Sequence, residues 1–326
     1  MTTLDHLLPG PEEAVRCADF ARTIAMDPGG TAIRADRVVL VETGLPWPKP
    51  VFDHPTLREI DPLFKRAPRI TRLLACRPPS ESVEHPATGV WVFDRLNGHT
   101  RERRFEVGSP DQLLDLGACL VAEVAGDEIT SVDIPAPTVD GVVDGPVVLV
   151  CTQGSHDVCC GADGERLAAA AESGDVPGVR VFRVSHTGGH RFAPTAMTLP
   201  DGRMWAYLVP ELLDQLLSGQ GAAAHLAQYC RGWWGADPGP AQVAERAVWA
   251  EVGFPLDAVS RTCVEVEPMT YRIETTPAGS AHSARDSWTV DVELVREVPT
   301  VACRKPGGLP AKVGREYRAA VRPQTL

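Results

Sequence analysis

A Val-Val-Leu-Val tetrapeptide occurs twice, at Val38–Val41 and again at Val147–Val150. Short uninterrupted apolar runs of this kind suit strands buried on both faces, as in parallel sheets. The elements after each run match in order. A second strand is predicted over Arg72–Cys76 in one copy and Val179–His186 in the other. A third opens on tryptophan, at Trp91–Asp94 and Trp205–Leu208, with Asp201-Gly202 as a hairpin turn before the latter. A Pro-led, leucine-rich helix then closes each copy, Pro110–Leu116 and Pro210–Leu217. Four identical residues can arise by chance, but the shared order of elements points to a degenerate duplication.

The β-α-β then β-β-α order of the second copy predicts an α/β protein built from two thioredoxin-like units, each a mixed sheet covered by helices. The first unit spans 12–133 and the second 142–235, joined through the Pro-rich Ile134–Pro137. Gly235–Pro240 ends the second unit, and Trp233-Trp234 just before it reads as a packed helix end. Residues 241–326 form a small α+β appendage, with a helix over Gln242–Val252 and strands over Val259–Glu267, Tyr271–Thr276 and Trp288–Val295. Pro194 falls where thioredoxins carry a proline beside their active site.

The chain has 326 residues and a net charge of -11, which argues against a nucleic-acid binder. No apolar run approaches the roughly 20 residues that span a bilayer. The amino terminus lacks a basic stretch followed by an apolar one, so a cytoplasmic location with no membrane association is expected. Nine cysteines in a reducing compartment do not suggest a disulfide framework. Six are scattered singly (Cys17, Cys76, Cys119, Cys230, Cys263 and Cys303) and read as core residues. Cys151, Cys159 and Cys160 are the exception.

The informative stretch runs from Cys151 to Cys159-Cys160, followed by His186-Thr187-Gly188-Gly189-His190. Cys151 is placed at the carboxyl end of one predicted strand and His186 at the end of its neighbour, where open α/β sheets bind ligands. Two loops would then present two thiolates and two imidazoles at one sheet edge. The tandem glycines allow positive φ, so the loop can turn both rings inward. Structural zinc tolerates the histidine spacing but asks for two to four residues between its cysteines, whereas eight separate Cys151 from Cys160. A wider frame suits a two-iron group with mixed Cys and His ligation.

This pattern, Cys-x8-Cys then His-x-Gly-Gly-His, resembles the sucrase/ferredoxin-like family of thioredoxin-like [2Fe–2S] proteins. Gly30-Thr31-Ala32, Val39–Glu42 and Pro46-Trp47 resemble that family's opening segment, and the C-terminal extension is similar to those of actinobacterial members. The resemblance implies a [2Fe–2S] cluster bound by Cys151, Cys160, His186 and His190. It prefers Cys160 to Cys159, which becomes a spare neighbour, either packed or a substitute ligand. His156, Arg191 and Pro194 are further candidate neighbours of the cluster. The first copy lacks the pattern: Glu42 stands in the place of Cys151 and Cys76 in that of His186, which makes this copy a structural or docking partner.

The expected function is a soluble one-electron carrier exchanging electrons with a reductase and an acceptor protein, rather than a self-contained enzyme. Proton coupling through the histidine ligands is a further expectation. Two rivals remain at this stage, a zinc-stabilised binding module and a thiol-disulfide oxidoreductase. The second lacks the Cys-x-x-Cys that lowers a thiol's pKa at a helix start.

Overall fold

The computed structural model describes residues 4–67, 70–79, 87–96, 98–125, 134–155, 158–175, 178–276 and 286–323. The strands in chain order are β1 (Arg37–Glu42), β2 (Thr71–Arg77), β3 (Thr88–Leu96), β4 (His99–Val107), β5 (Val139–Val142), β6 (Val147–Cys151), β7 (Arg180–Val184), β8 (Ala196–Leu199), β9 (Arg203–Trp205), β10 (Cys230–Trp233), β11 (Ser260–Glu267), β12 (Thr270–Thr276), β13 (Ser287–Thr300) and β14 (Lys312–Val321). The helices are α1 (Cys17–Thr23), α2 (Pro55–Arg58), α3 (Asp61–Lys65), α4 (Pro110–Ala125), α5 (Glu165–Ala170), α6 (Pro210–Leu217), α7 (Ala223–Leu226) and α8 (Pro240–Val252).

The first ten strands form one mixed sheet in the order β10-β9-β8-β6-β7-β2-β1-β3-β4-β5. Both tetrapeptides lie on interior strands and are buried along their whole length, as their apolar character requires. Each such side chain contributes about 1.5–3 kcal/mol relative to exposure. β1 pairs parallel with β2 and antiparallel with β3, and β6 pairs parallel with β7 and antiparallel with β8. The order second, first, third, fourth strand is therefore found in each half. The halves join where β2 and β7 run antiparallel, Cys76 opposite Val184 and Arg77 opposite Arg183.

Three sequence expectations need correction. Trp91 lies on the third strand of its half, but Trp205 ends β9, the fourth strand of the other; Tyr207, at φ +54°, turns the chain out of the sheet just beyond it. Register also separates Cys76 from His186: Glu42 sits opposite Cys76, whereas Cys151 sits opposite Val184, two residues before the histidine. Trp233 ends a strand, β10, and no helix precedes the pair directly.

The remaining strands form a four-stranded antiparallel sheet, β11-β12-β13-β14, with α8 against it. Trp249, Ile273 and Val290 from this region share one hydrophobic cluster with Val148, Leu149 and Trp205 of the large sheet. A buried ion-pair network crosses the same boundary: Glu245 on α8 meets Arg203 at 2.9 Å and Arg261 at 2.8 Å. No helix among the described residues is long and apolar enough to cross a membrane.

Candidate metal centre

Cys151 is the last residue of β6, and its backbone is held on both sides. Its N–H donates to the Thr195 carbonyl at 3.1 Å, and the next N–H, of Thr152, donates to the Val184 carbonyl at 3.0 Å. Gln153 then ties the two informative loops together. Its Oε1 accepts the His186 N–H at 2.9 Å, and its Nε2 donates to the Pro48 carbonyl at 2.6 Å. Cys160 opens a π-helical stretch, Cys160–Gly164, that runs into α5. Such widened turns recur at functional sites. Here the widening brings Gly164 onto the Cys151 carbonyl, leaving no room for a Cβ.

The Cys151 thiol is fully buried and lies among hydrogen-bonding groups. A hydrogen bond from Cys160 is the main influence holding it well below the usual thiol range; burial opposes this, and His186 and the Thr187 N–H reinforce it. The thiolate is the form that ligates metals. The His186 and His190 rings face one another at 5.8 Å between centroids, tilted by 48°. Between them Gly188 and Gly189 have φ of +79° and +68°, the left-handed backbone that tandem glycines make accessible. Cys151 thus meets Cys160 and His186 at the carboxyl end of the β6–β7 pair, and the His190 ring lies beside that of His186.

Arg231, on β10, is a member of this neighbourhood that the sequence reading missed. It is completely buried. Its Nε donates to Thr31 Oγ1 at 3.1 Å and its Nη2 to the Thr31 carbonyl, so the Gly30-Thr31-Ala32 segment serves as its clamp. Burial, with the like charge of Arg191, lowers its pKa to about 10, while Cys151 and Cys160 act in the opposite sense. Its Nη1 has no hydrogen-bond partner among the described residues, nor do the buried hydroxyls of Thr152, Thr187 and Thr195. A buried cation with a spare donor beside two thiols fits a group that brings negative charge. A donor set of two sulfurs and two imidazoles fits iron or zinc. One charged residue inside an otherwise apolar strand was the available signal.

The remaining candidates divide. Cys159 packs against two further thiols, its Sγ lying 3.9 Å from that of Cys17 and 3.8 Å from that of Cys303. Cys17 Sγ also lies 3.3 Å from His190 Nδ1. Cys17 and Cys303, expected as isolated core residues, therefore belong to this neighbourhood. Arg191 stacks over the Phe192 ring, 4.5 Å from its centroid. Pro194 follows a cis peptide bond, and its carbonyl accepts the Leu208 N–H at 3.2 Å. His156 lies outside the described residues.

A family model described as Sucrase/ferredoxin-like matches residues 28–232. Neither a curated protein nor a solved structure matches the chain.

Proposed function

The chain belongs to the sucrase/ferredoxin-like family, and from that premise we propose that it is a one-electron carrier whose [2Fe–2S] cluster is held by Cys151, Cys160, His186 and His190. The observation that carries this reading is the meeting of Cys151 with Cys160 and His186, and of His186 with His190, at one sheet end beside the spare donor of Arg231. When bound, such a cluster accepts and releases one electron, and two neutral imidazoles in place of two thiolates make its reduction easier. The chain's own residues supply the setting. Cys151 offers a thiolate, Arg231 offsets its charge, and Gln153 fixes the two loops relative to each other. His186 and His190 are only half-buried, so they form the face that electron-donating and electron-accepting proteins would approach. The excess of acidic residues suits a basic docking surface on the reductase. The repeated strand order, with an antiparallel third strand in each half, supports two thioredoxin-like units, of which the first lacks the donor set.

Anaerobic purification followed by a visible spectrum and analysis for iron, sulfide and zinc tests the proposal. A red-brown protein with about two irons and two sulfides per chain is expected. A colourless protein that holds zinc even after iron–sulfur reconstitution overturns it. Proton coupling is tested separately, since a midpoint potential flat between about pH 6 and 9 removes it.

A further inference from the structure

Three cysteines outside the four-residue pattern meet on its flank. Cys17 is the first residue of α1, Cys159 directly precedes the π-helical stretch, and Cys303 lies between β13 and β14. Their sulfurs all lie within 4.8 Å of one another. The Cys17–Cys159 and Cys159–Cys303 separations are 3.9 and 3.8 Å. A tetrahedral ion with metal–sulfur bonds of about 2.3 Å sets neighbouring sulfurs about 3.8 Å apart. Simple packing of thiols also allows such distances, so the surroundings must decide.

Three features of the surroundings favour an ion. The cysteines come from segments 142, 144 and 286 positions apart, so no local turn forces them together. The Arg16 guanidinium is hydrogen-bonded to Cys159 and also pairs with Asp163 at 2.5 Å, so a positive charge stands against the sulfurs and would offset the excess negative charge of three thiolates around one cation. Finally, Cys17 and Cys159 are buried while Cys303 is half-buried, which leaves one approach for an ion from solvent.

We propose that Cys17, Cys159 and Cys303 form a second site, adjoining the four-residue centre through the Cys17–His190 contact, for one closed-shell thiophilic cation, Zn²⁺ or Cu⁺. Three thiolates suit both: they complete a three-coordinate Cu⁺ site or leave Zn²⁺ one further position. An ion here ties α1, the cysteine loop and the β13–β14 connection together, and so fixes the position of Cys160 through its neighbour Cys159.

The test uses the full-length chain, handled anaerobically, with Co²⁺ as the spectroscopic probe for zinc. In a Cys151→Ser/Cys160→Ser background, a single Co²⁺ per chain is expected to give thiolate-to-cobalt charge-transfer bands that added Zn²⁺ abolishes. Adding Cys17→Ser and Cys303→Ser should remove those bands. The half-buried Cys303→Ser alone, with circular dichroism to confirm folding, covers the case in which the fuller variant does not fold. Cu⁺ displacing cobalt at the same residues supports the site and identifies its ion. Bands that survive both serine variants, or folded protein that gives no cobalt bands and binds no Cu⁺ at these residues, overturn the proposal. Formation of a Cys159–Cys303 disulfide in folded protein that takes up neither cobalt nor Cu⁺ overturns it equally. Cobalt uptake at these residues in a wild-type chain that never takes up iron supports this site while refuting the electron-carrier reading.

Discussion

The guanidinium carbon of Arg231 lies 2.5 Å from the point where a side chain on Gly189 would begin. That contact couples the turn carrying His190 to a buried cation on β10. Gly189→Ala should therefore displace Arg231 and also place alanine at φ +68°, costing about 1–3 kcal/mol. Gly188→Ala carries the same kind of backbone cost, but its nearest Arg231 atom is 3.6 Å away. Melting curves with iron analysis should show the larger loss for Gly189→Ala. Equal losses would mean that the Arg231 contact is immaterial.

Replacing a neutral imidazole by a thiolate adds negative charge to the centre. His190→Cys is expected to retain iron, shift the visible spectrum and lower the midpoint potential. Spectroelectrochemistry reads all of this, and an unchanged spectrum in iron-loaded protein would exclude His190 as a ligand.

Asp201, which accepts a hydrogen bond from Thr198 Oγ1 at 2.8 Å, has its carboxyl pushed up to about 6, chiefly by burial and then by Asp257. The folded state thus keeps this proton to higher pH than the unfolded chain. The stabilisation is complete below about pH 4 and is lost as pH rises through about 6. Asp201→Asn, which can still accept from Thr198, should be more stable than wild type above pH 6, by on the order of 1–2 kcal/mol. Denaturant midpoints across pH 4–8 test this, and a gap that does not widen with pH would rule it out.

Glu245 is completely buried between Arg203 and Arg261. Glu245→Ala leaves two buried guanidinium groups short of a partner and should cost about 3–5 kcal/mol in urea unfolding. Arg101→Ala, which removes an exposed pair with Asp140, should cost less than about 1 kcal/mol. Similar costs for the two variants would show that the buried network does not hold α8 to the large sheet.

Local relationships were the ones legible in the sequence. Cys151 and Cys160 share one loop, His186 and His190 another, and both follow apolar strands whose burial is apparent from composition. β2, β6, α6 and the start of α4 were placed to within a residue or so for the same reason. Arg231, Cys17 and Cys303 were hidden because their relation to the centre is purely spatial. β4 escaped notice because Arg101, Glu102, Arg103 and Arg104 obscure its alternation; Glu102 and Arg103 are buried as ion-paired groups, with Arg180 and Asp94. The tryptophan match misled because similar residues occupy different strands of the two halves.

The meeting of Cys17 with Cys303 has a consequence for how the molecule is made. On the ribosome, α1 and the loops bearing Cys160 and His190 emerge well before Val301 and Cys303, which complete the wall around them. During that interval the sulfur-rich end of β6 stays open on one side. A cofactor-delivery protein would have its best access then, before the β13–β14 connection is added to that side.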